Sequence, residues 1–202
     1  METSRMFVCG AALQGGDPKL YPVADSPLAW FPMRVTYNRE LRAKASFDRL
    51  GIENFIPMRY ELVMVGGERR RRLVPGIRNL IFVRSTRSHL SVLKHTDESL
   101  LPLRYIMRRS VSTSAAPEIL TVPDREMDNF IRVCTAGTDI EYLRYDPFLD
   151  KPGQRVRIIE GPFAGVEGIV KRIRKNKQIV VVLPGLAAVM LNSIPYTWVE
   201  KI

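Results

Sequence analysis

The stretch WFPMRVTYNRELRAKASFDRLGIENFIPMR, residues 30 to 59, decides how this chain folds. With the alanine before it, AWFPMRV (29–35) has the aromatic and apolar density of a β-strand carrying Trp30, Phe31, Met33 and Val35, while Pro32 points to an edge strand or a bulge. A helix is predicted to follow at once. Asn38 fits an N-cap, Glu40 stands in the first turn, and the pattern runs to Gly51, a natural terminator. At about 100° per residue, Ala43, Phe47 and Leu50 fall on one face, which should pack on a sheet. Arg39, Arg42 and Arg49, with Ser46 among them, gather beside that face. Such a basic stripe is either a solvated surface or a contact for a polyanion. ENFIPMRYELVMV (53–65) then reads as a strand pair or as one strand broken near Pro57.

Working outward, GGERRRR reads as a hairpin tip bearing four consecutive arginines, Arg69, Arg70, Arg71 and Arg72. LVPGIRNLIFVRS returns as a strand, HLSVLKHTDESL resembles a short helix, and LPLRYIMRR is a further strand. Between Gly67 and Ser110 there are eleven Lys or Arg against three acids, so positive charge concentrates there. Pro123 and Asp124 open another helix, PDREMDNFIRVC, with Met127, Phe130 and Ile131 on one side. Residues 135–150 mix turn formers with scattered aromatics and read as a linker. Beyond them QRVRII, GIVKRIR, QIVVVL and AAVMLNSI are strands separated by short turns, the pattern of a small barrel.

The whole chain has 202 residues, 46% of them hydrophobic, enough for one or two domains with a real core. Its 31 Lys and Arg against 21 Asp and Glu leave a formal charge of +10, which suits a polyanionic partner such as nucleic acid. Cys9 and Cys134 form no CxxC or CxxxC pair, so reduced thiols in the cytoplasm are expected. Residues 1–28 lack a signal-peptide core and read as a flexible leader, and no membrane-spanning run is present. Catalysis finds no support. His89 and His95 lie six apart on opposite sides of a helix, and the adjacent Asp97 and Glu98 diverge. There is no Walker loop and no G-x-S-x-G, so neither an enzyme nor a metal site is expected.

VRIIEGPFAGVEGIV (156–170) is a second diagnostic stretch. Val156 and Ile158 point inward and Arg155 and Arg157 outward, Gly161 and Gly165 can take positive φ, and Pro162 stiffens the turn. Phe163 at its tip either caps the barrel core or projects to a partner.

Taken in order, four segments resemble the NusG family. WFPMRVTYNRELRAKASFDRLGIENFIPMR looks like the start of that family's amino-terminal (NGN) domain. VPGIRNLIFVRS resembles its F-P-G-Y-V-F-V strand, APEILTVPDREMDNFI is similar to its P-x-x-V-x-D-x-E-[VM] helix entry, and VRIIEGPFAGVEGIV resembles the KOW motif. The spelling is most similar to the specialised UpxY-type paralogues of Bacteroidetes, which act on capsular polysaccharide operons. The likeness implies an α+β fold: a leader (1–28), a ferredoxin-like NGN domain (29–134), a linker (135–150) and an SH3-like β-barrel KOW domain (151–202). Val74 stands where the family has Phe, and residues 77–79 lengthen the segment after Pro75 and Gly76.

The resemblance also implies a function. Such a factor binds the RNA polymerase clamp and suppresses pausing and termination, as a cytoplasmic monomer without a cofactor. Carried over by position, Trp30, Phe31, Met33, Val74, Pro75 and Phe82 would face the polymerase, Phe31 and Val74 as the more exposed contacts. Arg39, Arg42, Ser46 and Arg49 would meet the non-template DNA strand or nascent RNA, and Arg69 to Arg72 the upstream duplex. Gly161, Pro162, Phe163 and Gly165 would form a surface for the NusE ribosomal protein or Rho. A general NusG-type elongation factor and a KOW-containing ribonucleoprotein component are the alternative readings.

Overall fold

The computed structural model describes residues 27–108, 116–136, 140–144, 146–173 and 176–202. The leader up to residue 26, with Cys9, lies outside them. Strand β1 (Ala29–Val35) leads through a short 3-10 turn into helix α1 (Glu40–Arg49), followed by β2 (Asn54–Phe55). A long hairpin, β3 (Met58–Val65) and β4 (Glu68–Pro75), precedes β5 (Leu80–Ser85), α2 (Arg87–Thr96) and β6 (Leu103–Tyr105). The short pair β7 (Met107–Arg108) and β8 (Glu118–Ile119) comes before α3 (Asp124–Thr135). The remaining strands are β9 (Ile140–Leu143), β10 (Gln154–Ile158), β11 (Glu167–Ile173), β12 (Asn176–Leu183), β13 (Ala187–Leu191) and β14 (Val199–Lys201).

The first sheet is antiparallel in the order β2-β5-β1-β6, the split β-α-β arrangement of a ferredoxin-like domain. Alternation along β1 and β5 divides the apolar side chains between two faces. Phe31, Met33, Val35, Ile81 and Val83 pack with Ala43, Phe47 and Leu90 of α1 and α2. Trp30, Leu80 and Phe82 pack on the other side with Met127, Phe130, Val133 and Cys134 of α3. Strand β1 is therefore central rather than an edge. Pro32 is tolerated because β6 pairs with β1 only from Met33 onward.

The second sheet, in the order β14-β10-β11-β12-β13-β9, is antiparallel throughout and forms the barrel, completing an α+β fold. Its inward residues Val156, Ile158, Val166, Ile179, Val181 and Val189 belong to the same hydrophobic cluster as Trp30, Phe82 and α3. The barrel is thus docked on the first domain, and α3 carries apolar groups for both. The segment read as a linker takes part in this docking. Its residues 140–143 are β9, the barrel's sixth strand, paired with β13 from Ala188↔Leu143 to Leu191↔Ile140.

Local details depart from the sequence reading in several places. Asn38 does not cap α1; Tyr37 and Asn38 sit at positive φ in the preceding turn, and the helix begins at Glu40 with no side-chain cap. Gly51 (φ 66) ends the helix early enough that Leu50 is exposed, and Glu40, Ala43, Ser46 and Phe47 make the buried face. In α3 the buried set is Met127, Phe130, Val133 and Cys134, with Ile131 half-buried at the margin. Gly66 and Gly67, both at positive φ, form the hairpin tip as a two-residue turn requires, so the four arginines lie within strand β4.

Candidate nucleic-acid and partner surfaces

The six apolar residues assigned to the polymerase do not form one patch. Trp30 and Phe82 face α3, whereas Phe31 and Met33 face α1 and α2, because neighbouring strand residues point to opposite sides. All four are buried, including Phe31, which was expected to be exposed. Phe82 packs against Phe130 of α3 with ring centroids 5.6 Å apart and the rings tilted by 53°. Val74 and Pro75 are half-buried at the base of the hairpin, where Gly76 N–H donates to Pro57 O at 2.7 Å.

Arg39, immediately before α1, and Arg42 on it are exposed and have no carboxylate partner among the described residues. Arg49 projects outward and pairs with Asp97 at 3.1 Å. The Asp97 carboxyl is held below its usual range, chiefly by hydrogen bonds from Ser99. Ser46 leaves the stripe: it is 4% exposed, and its hydroxyl shares a 2.5 Å hydrogen bond with Ser99. A hydroxyl so placed cannot reach a ligand from the helix surface.

The hairpin arms project as a separate two-stranded ribbon. Register places Leu62 opposite Arg71 and Met64 opposite Arg69 on one face, and Glu61 opposite Arg72 and Val63 opposite Arg70 on the other. The arginines are therefore split between two faces rather than massed at a tip. Arg71 lies over the Tyr60 ring at 4.5 Å, and Arg70 pairs with Glu68 at 3.2 Å. Arg69, Arg71 and Arg72 have no carboxylate partner among the described residues.

In the glycine-rich turn of the barrel, Gly161 (φ 78) and Gly165 (φ 84) adopt the expected left-handed conformation. Phe163, however, is only 3% exposed and lies in the core shared with α3. The physical cause is the turn's own hydrogen bonding. Gly165 N–H donates to Ile158 O and Val166 N–H to Phe163 O, which folds the tip back over the barrel mouth. Pro162 remains exposed.

Contacts from α3 hold this turn. Arg132 Nη1 donates to Ala164 O at 3.1 Å, and Arg125 pairs with Glu167 at 2.6 Å. Glu167 also receives Arg157 at 2.8 Å and Arg155 at 3.3 Å, and the guanidinium groups of Arg157, foremost, and Arg125 hold its carboxyl below the usual range. Arg125 and Arg132 escaped the sequence reading, although a spacing of seven puts them two turns apart on one helix face. From β9, the Tyr142 hydroxyl donates to Met58 O at 3.0 Å and its ring lies over Gly76. Burial pushes the Tyr142 phenol upward and raises the neighbouring Cys134 thiol to about 12. Sequence offered no pointer to Tyr142, which lay in the presumed linker.

No group of three or more His, Cys, Asp or Glu side chains able to hold a metal occurs among the described residues. None of the described helices is long and apolar enough to cross a membrane.

Residues 28–131 match the family described as transcription termination factor NusG, and residues 152–182 match the KOW motif. Among solved structures the chain is similar to Thermotoga maritima NusG, described for its domain interaction. That likeness has 20% identity and a TM-score of 0.39, and covers 87% of this chain and 98% of the other. No curated protein matches significantly.

Proposed function

The chain belongs to the NusG family of transcription factors, whose members interact with RNA polymerase, and we propose that it is a specialised antiterminator that grips the polymerase clamp at particular operons. Capsular polysaccharide loci are the target class that its UpxY-like spelling suggests. The observation that carries the nucleic-acid half of this reading is the α1 stripe, where Arg39 and Arg42 stand exposed without carboxylate partners. A guanidinium left without a protein counter-ion supports a phosphate contact and can also stack on or bridge to bases. Arg49 joins them after exchanging Asp97 for the nucleic acid. Arg69, Arg71 and Arg72 on the projecting ribbon extend the same positive field towards upstream DNA.

Domain docking bears on how such a factor would be controlled. The barrel shares one core with Trp30, Phe82 and α3, while Arg132 and Arg125 hold the turn around Phe163. A partner contact made through the glycine-rich turn would require the barrel to leave α3, which would itself go on covering Trp30 and Phe82. The docked chain is then the resting form, and engagement with the transcription complex selects the open one. Such a shift needs only a few kcal/mol of differential binding.

The test is an in vitro transcription and pull-down assay with core RNA polymerase on templates with and without a candidate operon leader. Wild type should bind polymerase and extend read-through on the leader template, and the Arg42→Ala, Arg49→Ala variant should lose that selectivity while still folding. Polymerase binding without template selectivity would replace this reading with that of a general factor.

A further inference from the structure

The turn between β1 and α1 meets the segment before β5 through hydrogen bonds to Asn79. Three non-glycine residues there, Tyr37 (φ 64), Asn38 (φ 52) and Asn79 (φ 61), adopt left-handed backbone conformations. Asparagine tolerates that region, whereas a tyrosine in it is an outlier that neighbouring contacts must enforce. Asn79 supplies those contacts: its carbonyl accepts from Val35 N–H at 3.0 Å and its side-chain oxygen from Asn38 N–H at 3.2 Å. Asn79 N–H in turn donates to the buried Glu40 carboxylate at 3.2 Å. The strained turn presents Tyr37 with 81% of its surface exposed, and the Arg39 guanidinium lies over its ring at 5.5 Å.

Tyr37 also lines a cleft of about 440 Å³ together with Arg34 and Arg78, over a floor that includes Ile77, Ile106 and Leu186. That size falls within the range of roughly 300–1,000 Å³ usual for small-molecule sites. No acidic residue lines it, and Arg34, Arg39 and Arg78 have no carboxylate partner among the described residues. An exposed aromatic ring fixed beside uncompensated guanidinium groups matches a planar base carrying phosphate: the ring takes the base by stacking and the arginines take the phosphate oxygens.

We propose that this cleft is a nucleotide-binding site, in which a nucleobase stacks on Tyr37 and its phosphate is held by Arg34 and Arg78. The nucleotide is either free or an unstacked residue of a single strand. The inference rests on the nucleic-acid reading of the α1 stripe and extends it to an adjoining cleft, to which Arg39 connects through its contact with the Tyr37 ring. Because Gly185 and Leu186 come from the barrel, the cleft is complete only while the barrel is docked. A nucleotide bound there stabilises the docked form by linkage.

The test uses the full chain, methylanthraniloyl-labelled ATP, and a fluorescein-labelled single-stranded DNA oligonucleotide. Saturable binding is expected, weakened at least about fivefold by Tyr37→Ala, as loss of a stacking partner should do, and retained within about twofold by Tyr37→Phe. Arg34→Ala, Arg78→Ala should weaken binding and flatten its salt dependence. Binding of the labelled ATP would assign the site to free nucleotides; binding of the oligonucleotide alone, with the same response to Tyr37→Ala, would assign it to a strand. Absence of saturable binding to either probe, or affinities unmoved by Tyr37→Ala, overturns the proposal. Retention of wild-type chain by polymerase is read in parallel. Lost retention with intact nucleotide binding would refute the clamp reading and leave this site standing, and the converse result would do the reverse.

Discussion

Truncating Phe163 separates two physical pictures of the glycine-rich turn. With 3% exposure, nearly its whole ring is withdrawn from water into the core shared by the barrel and α3. Burying an aromatic side chain removes about 150 Å² or more from solvent, and about 150 Å² is worth nearly 4 kcal/mol at about 25 cal/mol per Å², from which the share alanine keeps and the compactness of the unfolded chain subtract. The void left behind adds to the loss, so Phe163→Ala should cost about 3–5 kcal/mol. With a urea m-value of about 2 kcal/mol/M, the unfolding midpoint should fall by about 2 M. The loss should register in α3 as well as in the barrel, because Arg132 holds the same turn. Urea denaturation followed by far-ultraviolet circular dichroism, with hydrogen exchange on α3, measures both effects. A stability change within about 0.5 kcal/mol, the range of ordinary surface substitutions, would refute the buried placement and restore Phe163 as a projecting contact.

Other consequences follow from neighbouring contacts. Gly161→Ala would set a Cβ 2.4 Å from the Trp198 ring at φ 78, so a loss of roughly 1–3 kcal/mol in the same denaturation assay is expected, and an unchanged midpoint would contradict the packing. Tyr142→Phe removes the hydroxyl that donates to Met58 O, at a cost of about 0.5–1.5 kcal/mol, and should speed amide exchange in β9; unaltered exchange there would count against β9 as a tether. Burial raises the Cys134 thiol from 9.0 to about 12, so in a Cys9→Ser background iodoacetamide should leave folded protein unlabelled at pH 8 and label it in urea. The sign of the linkage is set by the raised value. The contribution of Cys134 to stability is complete below about pH 9 and is lost as pH rises towards 12, and a rise in stability over that window would be inconsistent with its burial.

Docking gives Glu167 a specific place in the energetics. Its side chain is 10% exposed and takes Arg157 and Arg155 from the barrel and Arg125 from α3. Removing the carboxylate would leave three guanidinium groups facing one another across the domain boundary, whereas removing Arg125 alone leaves Glu167 with two partners. The carboxylate is therefore the more sensitive point for opening the interface.

Sequence by itself determined the elements and their order. Apolar alternation in AWFPMRV and LIFVRS, the helical spacing of Ala43 with Phe47, and the glycine-framed turn between β10 and β11 are local signals, written in neighbouring side chains and in backbone positions only glycine occupies freely. Four ordered motifs also carried the family. What tertiary structure decided is which side chains remain available. Strand alternation sent Phe31 and Met33 to one face and Trp30 and Phe82 to the other, and a hydrogen bond from distant Ser99 withdrew Ser46 from the α1 stripe. A weakly patterned linker became a barrel strand because β13 offered it an open edge. Phe163 left its ambiguous place at the turn tip for a core that α3 and the barrel build together. These outcomes depend on residues far apart along the chain, and burial and pairing at that range have no periodicity in the sequence to announce them.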